Sequence, residues 1–344
     1  MAYKTTYARM RIKITNKIEI VFSATLILFL SINHSFAQSG TAGALRWELN
    51  DSTLTISGMG EMPDYGYMNT PWFNYRDHIK NIVIGDSVKN IGDGAFTYFS
   101  NLISVEMSSI ITIGSSAFGS CNNLVSAYIP NVTTIGEHAF SGCTSLTEFD
   151  MPSVTHIGNG AFFTCINLIS VNMPHAEAIE NEVFSGCSNL TSVIMPKVIT
   201  IGMSAFTYCT GLESITFPSS TITIGENAFS NCRSLISVDL QNITTIGGWT
   251  FMFCNNLSSV NLPNVTHVGY SAFLGCNSLT SIIIPNVTTI GESAFTHCNS
   301  LTSIDLPSVT HIEVSAFSGC SNLESVYLPK VFMLLDGART LLLL

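Results

Sequence analysis

The chain has 344 residues, of which 46% are hydrophobic and only 10% carry a charge, whereas roughly 25% of residues are charged in an average soluble domain. Its 13 Lys and Arg residues are outnumbered by 23 Asp and Glu residues, which gives a formal net charge of −10. A nucleic-acid-binding protein needs a basic face. The composition therefore excludes that class of function and leaves ample apolar material for a core.

The first 37 residues have the layout of a secretory signal peptide. Five basic residues precede an apolar run over residues 18–32, and Ser35 and Ala37 place small side chains where a signal peptidase reads. We predict cleavage between Ala37 and Gln38 and an exported protein, at the cell surface or outside the cell. The alternative is an uncleaved anchor, although the apolar run is short for a stable membrane span. We expect no membrane span in the mature chain.

The exported part is acidic throughout. Removal of residues 1–37 takes away five basic residues and one acidic residue, which leaves 8 basic and 22 acidic residues and a net charge of −14. Between Lys89 and Lys330, only Lys197 and Arg233 carry a positive charge. Such a surface repels nucleic acid and anionic lipid headgroups and favours basic patches on partner proteins.

Residues 38–90 have the pattern of a β-rich N-terminal cap. Apolar and polar side chains alternate over residues 45–49 and again over residues 54–56, which is typical of strands. The polar residues 50–53 between them predict a hairpin turn. Such a module would cover the first copy of a repetitive fold, whose core edge is otherwise exposed.

Residues 91–329 consist of eleven copies of one repeat. A phenylalanine recurs every 22 residues, except for one step of 23 residues between Phe206 and Phe229, where an insertion lies near Ser219 and Ser220. These phenylalanines are Phe96, Phe118, Phe140, Phe162, Phe184, Phe206, Phe229, Phe251, Phe273, Phe295 and Phe317. Other positions follow the same period. A Cys stands three residues after the Phe in ten copies, a Leu six after it in all copies, and usually a Pro twelve after it.

Each copy predicts one short strand followed by turns. Leu279, Ile282 and Ile284 fit the pattern L-x-x-L-x-L, which is the strand of a leucine-rich repeat. The following Pro ends the strand because it cannot donate a hydrogen bond. The Gly of each Ile-Gly pair suits either a positive φ or a close approach of two backbones. The segment Ala-Phe-x-x-Cys is short enough for one helical turn or a tight loop.

We therefore predict a repeat solenoid of the leucine-rich-repeat kind. In this fold, a right-handed parallel β-solenoid or horseshoe, each copy is too small to bury its own apolar residues, and stacking of the copies makes continuous interior ladders. Adjacent parallel strands lie ~4.8 Å apart, so eleven copies give a sheet roughly 50 Å long.

The repeat resembles the BspA-type leucine-rich repeats of bacterial surface proteins. Residues 146–165 read Leu-Thr-Glu-Phe-Asp-Met-Pro-Ser-Val-Thr-His-Ile-Gly-Asn-Gly-Ala-Phe-Phe-Thr-Cys and are similar to that family's pattern almost throughout. The resemblance covers residues 91–329, and residues 38–90 also resemble the family's N-terminal module. It implies an exported, surface-associated protein. Some members are linked to adhesion to host or matrix proteins, and the family supplies no catalytic residues.

The last residues, 330–344, depart from the repeat. Arg339 occupies the place of the next Phe, and the chain ends in four Leu residues. We expect either a truncated or frame-shifted gene product or an apolar tail that folds over the last repeat as a makeshift cap. The tail is too short to span a membrane.

The cysteines and histidines do not require a disulfide or a metal site. Successive Cys residues lie one repeat apart, so their Cβ atoms would stay near ~4.8 Å, whereas a disulfide needs about 3.8 Å. We predict buried thiols that act as small hydrophobic groups. His156, His267 and His311 share one repeat position, but two repeats separate the nearest pair, roughly 10 Å. We predict solvent-facing histidines, no metal and no cofactor.

Nothing in the repeat predicts catalysis. A catalytic pair would interrupt the pattern with reactive residues, and neither a phosphate-binding Gly-rich loop nor a G-x-S-x-G motif occurs in the sequence. We predict a non-enzymatic protein.

The outward strand residues carry the remaining information. The residue eight after the Phe is Ser in ten copies, which indicates a structural role, whereas the residue ten after it varies. Solenoids present binding surfaces as a row of varied side chains on a rigid sheet. Mutational drift at solvent-exposed positions would also produce a varied row. We predict that a protein or matrix ligand docks here in an adhesin-like manner, and the alternative is a scaffold component of the cell envelope. The predicted contact residues are Tyr128, Glu148, Asp150, Asn172, Asp239, Asn261, Asp305 and Tyr327.

Overall fold

A computed structural model describes residues 37–66, 68–330 and 333–334. The predicted signal peptide lies outside the described residues except for Ala37, and so does most of the predicted tail. In the described part of the chain, regular structure consists of short strands and one 3-10 turn at Phe73–Tyr75. The prediction of a parallel β-solenoid of leucine-rich repeats with about eleven turns is confirmed.

The cap begins with three antiparallel strands: β1 (Ala37–Ala42), β2 (Leu45–Asn50) and β3 (Thr53–Gly58). The predicted hairpin is confirmed, because Asn50 pairs with Thr53 and Asp51 takes a positive φ of 52° in the two-residue turn. Strand β1 was not predicted. Its alternation is weak because Ser, Gly and Thr occupy its centre.

The cap sheet runs directly into the repeats. Strand β4 (Asn81–Ile84) pairs in parallel with β3 on one side and with the first repeat strand, Ser104–Glu106, on the other. The strand Asn90–Ile91 likewise pairs with Thr112–Ile113. The ladders of the solenoid thus begin inside the predicted cap, and no exposed sheet edge separates the cap from the repeats.

Two rows of parallel strands follow. The first, the long-strand row, has three-residue strands that lie in register with their neighbours. After Ser104–Glu106 its strands are Ser126–Tyr128, Glu148–Asp150, Ser170–Asn172, Ser192–Ile194, Ser237–Asp239, Ser259–Asn261, Ser281–Ile283, Ser303–Asp305 and Ser325–Tyr327.

The second, the short-strand row, is formed by the two-residue strands that precede each Gly or its replacement. After Thr112–Ile113 its strands are Thr134–Ile135, His156–Ile157, Ala178–Ile179, Thr200–Ile201, Thr223–Ile224, Thr245–Ile246, His267–Val268, Thr289–Ile290, His311–Ile312 and Met333–Leu334. From Thr112–Ile113 to His311–Ile312, the second residue of each strand, an Ile or Val, is buried, which places the predicted Val and Ile positions in the core.

The Ala-Phe-x-x-Cys segment forms a tight loop rather than a helical turn, and the loops form a third ladder. From Phe96 to Phe295, the amide of each ladder Phe donates to the carbonyl of the residue that precedes the ladder Phe of the next copy, as from Phe118 to Ala139 at 2.8 Å. Residues two before and two after the Phe take positive φ in every copy, for example Ser116 at 53° and Ser120 at 58°. This alternation directs successive amides toward the neighbouring loop.

The phenylalanines stack as one continuous column. All eleven lie in the core, and neighbouring rings are 5.2–5.7 Å apart at interplanar angles of 5–23°. Trp72 of the cap begins the column. Its ring stacks on Phe96 at 5.6 Å and its Nε1 donates to the Ala95 carbonyl at 2.9 Å. The cap therefore seals the first repeat with an aromatic side chain of its own.

The glycines of the Ile-Gly pairs resolve the two alternatives left by the sequence. Their φ values are not positive. Instead, a Cβ on Gly136 would lie 2.7 Å from the carbonyl carbon of Gly114, and one on Gly158 would lie 2.6 Å from the amide nitrogen of Glu137. These residues are glycine because two backbones approach closely.

The cysteines form a column of free thiols beside the phenylalanines. Nine are buried, and each donates to the carbonyl of a ladder Phe, as Cys165 does to Phe140 at 3.1 Å. Burial raises the pKa of the Cys165 and Cys187 thiols well above their usual range. The prediction of buried thiols that act as small hydrophobic groups is confirmed.

Candidate functional site

The candidate site is the strand face, which we define as the side chains seven, eight and ten residues after each ladder Phe. All eight predicted contact residues lie on it, and none is fully buried. Residues nine and eleven after the Phe point into the core, as Val171 and Met173 do. The predicted direction of each side chain is confirmed, whereas the binding role remains a prediction.

Four of the predicted residues form two hydrogen-bonded pairs. Asn172 Nδ2 donates to Asp150 Oδ1 at 2.8 Å, and Asn261 Nδ2 donates to Asp239 Oδ1 at 2.9 Å. Each pair joins directly opposed residues of adjacent strands. Gln241 also donates to Asp239. One carboxylate oxygen in each pair accepts from the neighbouring amide, which fixes the position of the carboxylate.

Each pair continues into an exposed isoleucine on the next copy. Ile194 stands beside Asn172 and is 53% exposed, and Ile283 stands beside Asn261 and is 56% exposed. The triad Asp-Asn-Ile therefore occurs twice, and 89 residues separate its members each time. At ~4.8 Å per repeat, four repeats place the two triads roughly 19 Å apart.

The other predicted residues extend this row. Glu148 lies on the same strand as Asp150 and faces the same way. Asp305 and Tyr327 are opposed on neighbouring strands, and Tyr128 is opposed to Glu106. The structure therefore brings the predicted residues into one line along the solenoid instead of gathering them into a single pocket.

The long-strand row is interrupted at three places within the described residues. The sheet ends after Ser126–Tyr128, after Ser192–Ile194 and after Ser281–Ile283. The first strand after each interruption carries an Asp ten residues after its ladder Phe, namely Asp150, Asp239 and Asp305. Beside the interruptions, inward residues that are buried elsewhere are half-buried, and these are Ala127, Val193, Ile215 and Ile282.

The interruption at the 23-residue copy contains a cleft of about 510 Å³. Residues 214–216, which stand where a strand is expected, do not form one. The cleft lies between Ser192–Ile194 and this segment, with Val193 and Ile215 on its walls. Strand pairing is lost at this copy, and the apolar side chains of Val193 and Ile215 are partly accessible.

Sequence reasoning missed one line of the strand face. The residue seven after the Phe is exposed and often apolar, as in Ile103, Val125, Ile169 and Ile236, which are 43–50% exposed. The alternation of inward and outward side chains was applied only to the strand, which begins one residue later. The direction of this residue, which directly follows the buried Leu, was therefore not predicted. Its recurrence as Ile or Val was the available signal.

The electrostatics of the strand face are one-sided. Across the eleven copies, its three positions carry seven acidic residues and no Lys or Arg. The acidic residues are Glu106, Glu148, Asp150, Glu213, Asp239, Asp305 and Glu324. The face thus combines exposed aliphatic and tyrosine side chains with an uncompensated negative charge.

The histidines face solvent on the short-strand row. His156, His267 and His311 are exposed, and in each the Nδ1 lies 2.8 Å from the hydroxyl of the preceding Thr. In the described part of the chain, no group of three or more His, Cys, Asp or Glu side chains is arranged to hold a metal ion. Nor does any helix there combine the length and hydropathy of a membrane span.

Comparison with known proteins agrees with this geometry. The family model for the BspA-type leucine-rich repeat region matches residues 67–191, 177–286 and 263–335. The chain belongs to this family. The match begins upstream of residue 91, in agreement with the strand ladders that start within the cap.

Solved structures are similar over most of the chain. A leucine-rich repeat protein from Bacteroides ovatus is 26% identical, with 85% of this chain and 87% of that chain covered and a TM-score of 0.61. One from Eubacterium ventriosum is 22% identical, with 88% and 98% covered and a TM-score of 0.51. A leucine rich cell surface protein from Faecalibacterium prausnitzii is 25% identical, with 88% and 97% covered and a TM-score of 0.48. No curated protein matches the chain significantly.

Proposed function

We propose that this chain is an exported, non-enzymatic surface protein that binds a protein or matrix ligand on its strand face. Membership of the BspA-type family supports a surface repeat protein. The signal-peptide pattern of residues 1–37 supports export. The observation that carries the binding role is the twofold occurrence of the Asp-Asn-Ile triad on a face without basic residues.

Recurrence supports a binding surface over drift. Independent drift on a solvated face would not restore an acid, an amide and an exposed isoleucine in the same order. Nor would it restore the same hydrogen bond, at 2.8 Å in one triad and 2.9 Å in the other. A rigid solenoid that presents two equal patches favours a ligand with two or more equivalent elements, because the second contact then forms at a high effective concentration.

The chemistry of the face supports a basic protein partner. Seven carboxylates without a compensating cation attract basic patches and accelerate association, and salt screens this attraction. The exposed isoleucines and tyrosines supply apolar contacts at the same time. A protein surface with paired Lys or Arg residues beside apolar side chains is complementary, whereas nucleic acid and anionic lipid are repelled.

The test is a charge reversal at both triads. We expect the Asp150→Lys/Asp239→Lys variant to bind immobilised extracellular-matrix proteins about tenfold more weakly than the unaltered chain at low salt, because two rim charges become repulsive. Surface plasmon resonance over a series of salt concentrations measures the affinity. The melting temperature should stay within a few degrees, since both side chains are exposed.

The matched control reverses two charges away from the strand face. Glu137→Lys/Glu292→Lys makes the same change in net charge at two exposed residues beside the Ala-Phe loops. Equal losses in the two double variants would mean that net charge alone governs capture. Failure of the unaltered chain to bind any matrix protein would favour a scaffold component of the cell envelope.

A further inference from the structure

A second surface departs from the repeat pattern. We define the turn face as the exposed side chains between three residues before and two residues after each ladder Phe. Around Phe251 this segment reads Gly248-Trp249-Thr250-Phe251-Met252-Phe253. Among the eleven copies, only this one has a Trp, Tyr or Phe both two residues before and two residues after the ladder Phe.

The fold does not require these aromatic side chains. The position of Trp249 is occupied by serine in the next three copies, at Ser271, Ser293 and Ser315, with the same positive φ. The position of Phe253 is occupied by Ser120 in the second copy, also with positive φ. Because serine adopts the same backbone conformation at these positions, packing of the solenoid does not explain the presence of Trp249 and Phe253.

The rings are held in place and remain open to solvent. The ring of Tyr270 covers Gly248, since a Cβ there would lie 2.3–2.6 Å from three of its atoms, and its hydroxyl donates to Glu226 Oε2 at 3.0 Å. Trp249 stands at 88° to Tyr270 with centroids 4.4 Å apart. Trp249, Phe253 and Tyr270 are nevertheless 41%, 40% and 37% exposed.

Phe253 extends this arrangement by one repeat. Its ring covers Gly275, where a Cβ would lie 2.5 Å from Phe253 Cδ1. Two rings thus lie over glycine backbone, and Trp249 stands upright beside one of them, Tyr270, whose hydroxyl binds the Glu226 carboxylate. We call Trp249, Phe253, Tyr270 and Glu226 the aromatic patch.

We propose that the aromatic patch binds a neutral polysaccharide. The π face of each ring is electron-rich and stacks on the C–H face of a pyranose, while Glu226 accepts hydrogen bonds from sugar hydroxyls. The patch spans about two repeats, roughly 10 Å, which suits a short run of sugar rings. A stable protein interface buries about 800 Å² on each partner, more than three rings provide. The net charge of −14 on the exported chain disfavours an anionic glycan.

The experiment uses tryptophan fluorescence. Trp47 and Trp72 are buried, so acrylamide reaches only Trp249. The purified chain is titrated with a neutral β-glucan, a galactomannan and a soluble starch, with alginate as the anionic comparison. We expect at least one neutral polysaccharide to protect Trp249 from quenching and to retard the chain in affinity electrophoresis, whereas alginate does neither.

Variants drawn from the chain's own repeats provide the controls. Trp249→Ser and Phe253→Ser place residues that other copies carry at the same positions, so folding is preserved, and we expect each to weaken retardation at least tenfold. Tyr98→Ala, at the position equivalent to Phe253 seven copies away, should leave it unchanged. The strand-face variant Asp150→Lys/Asp239→Lys should also bind sugar normally, which separates this site from the proposed function.

Three outcomes would overturn the proposal. These are the absence of retardation by all three neutral polysaccharides, full retardation of Trp249→Ser, and binding of alginate through Trp249. Loss of a matrix-protein interaction in Trp249→Ser, without any glycan binding by the unaltered chain, would instead make the patch a protein contact.

Discussion

The phenylalanine column and the strand face run side by side along the same eleven turns. In the column, every copy has the same residue, and each ring contacts its own counterpart at 5.2–5.7 Å. On the strand face, the residue ten after the Phe is acidic, amide, aromatic, hydroxyl or aliphatic. One surface is therefore uniform and the other varied, although the same backbone carries both.

The difference arises from what each side chain contacts. An interior residue packs against the identical residue of the copies above and below, so a change in one copy mismatches two neighbours at close-packed density. An outward residue mainly contacts solvent and changes at little cost. Recurrence on the outward face, such as the two Asp-Asn-Ile triads, is consequently more informative about function than recurrence in the core.

The largest expected effect comes from breaking the column. Phe162→Ala removes a ring that stacks on Phe140 at 5.5 Å and on Phe184 at 5.6 Å. We expect a loss of about 3–5 kcal/mol in the free energy of unfolding, because a cavity remains where a buried Phe stood. Urea denaturation followed by circular dichroism measures it. The control is Phe163→Ala, one residue later and only half-buried, and similar losses in both would contradict the column as the main source of stability.

The next effect concerns the close contact of backbones. In Gly136→Ala, the new Cβ would lie 2.7 Å from backbone atoms of the preceding copy. We expect a loss of about 1–3 kcal/mol, as for overpacking of a core. Gly66→Ala is the control because no atom lies within 4 Å of its Cβ position, and it should change stability by less than about 0.5 kcal/mol. If Gly136→Ala left the free energy of unfolding unchanged, neighbouring copies would be able to move apart at little cost.

Most of the fold was predictable because the spacing between equivalent residues gives the register in which the copies stack. The period of Phe fixed the number of turns, and the L-x-x-L-x-L pattern fixed which strand residues point inward. The hairpin at residues 50–53 followed from local alternation. The role of the Ile-Gly glycines stayed open, since close approach and positive φ favour the same residue, and only the geometry at Gly136 and Gly158 decides between them.

The remaining features depend on contacts between copies. The sequence contained the Asp-Asn-Ile recurrence, but the hydrogen bonds within it and the interruptions before Asp150, Asp239 and Asp305 depend on how neighbouring copies pack. Trp72 falls within the predicted cap, and because its step of 24 residues to Phe96 differs from the period, the repeat pattern does not place it in the column. The aromatic patch likewise requires the side chain of Tyr270 to reach over Gly248 to Glu226, which lies two repeats earlier.

The smallest expected effect tests the loops that build the third ladder. Thr164 has a positive φ of 57°, a conformation that costs a residue with a side chain about 1–2 kcal/mol and is most unusual for a β-branched one. Gly142 and Gly186 occupy the same position in the flanking copies. We therefore expect Thr164→Gly to stabilise the protein, by about 0.5–1 kcal/mol after the entropy cost of glycine is subtracted.

A Thr→Gly substitution at a position without positive φ shows whether backbone strain causes the change in stability at Thr164. Thr302 is exposed on the strand face and is not among the residues with positive φ, so Thr302→Gly should destabilise the protein by roughly 0.5–1 kcal/mol. Opposite signs in the two thermal melts would assign the gain at Thr164 to relief of left-handed backbone strain. If both variants lose stability, the methyl group of Thr164 that packs over Gly186 outweighs the strain. The left-handed positions of this solenoid would then be set by packing between copies and not by backbone preference.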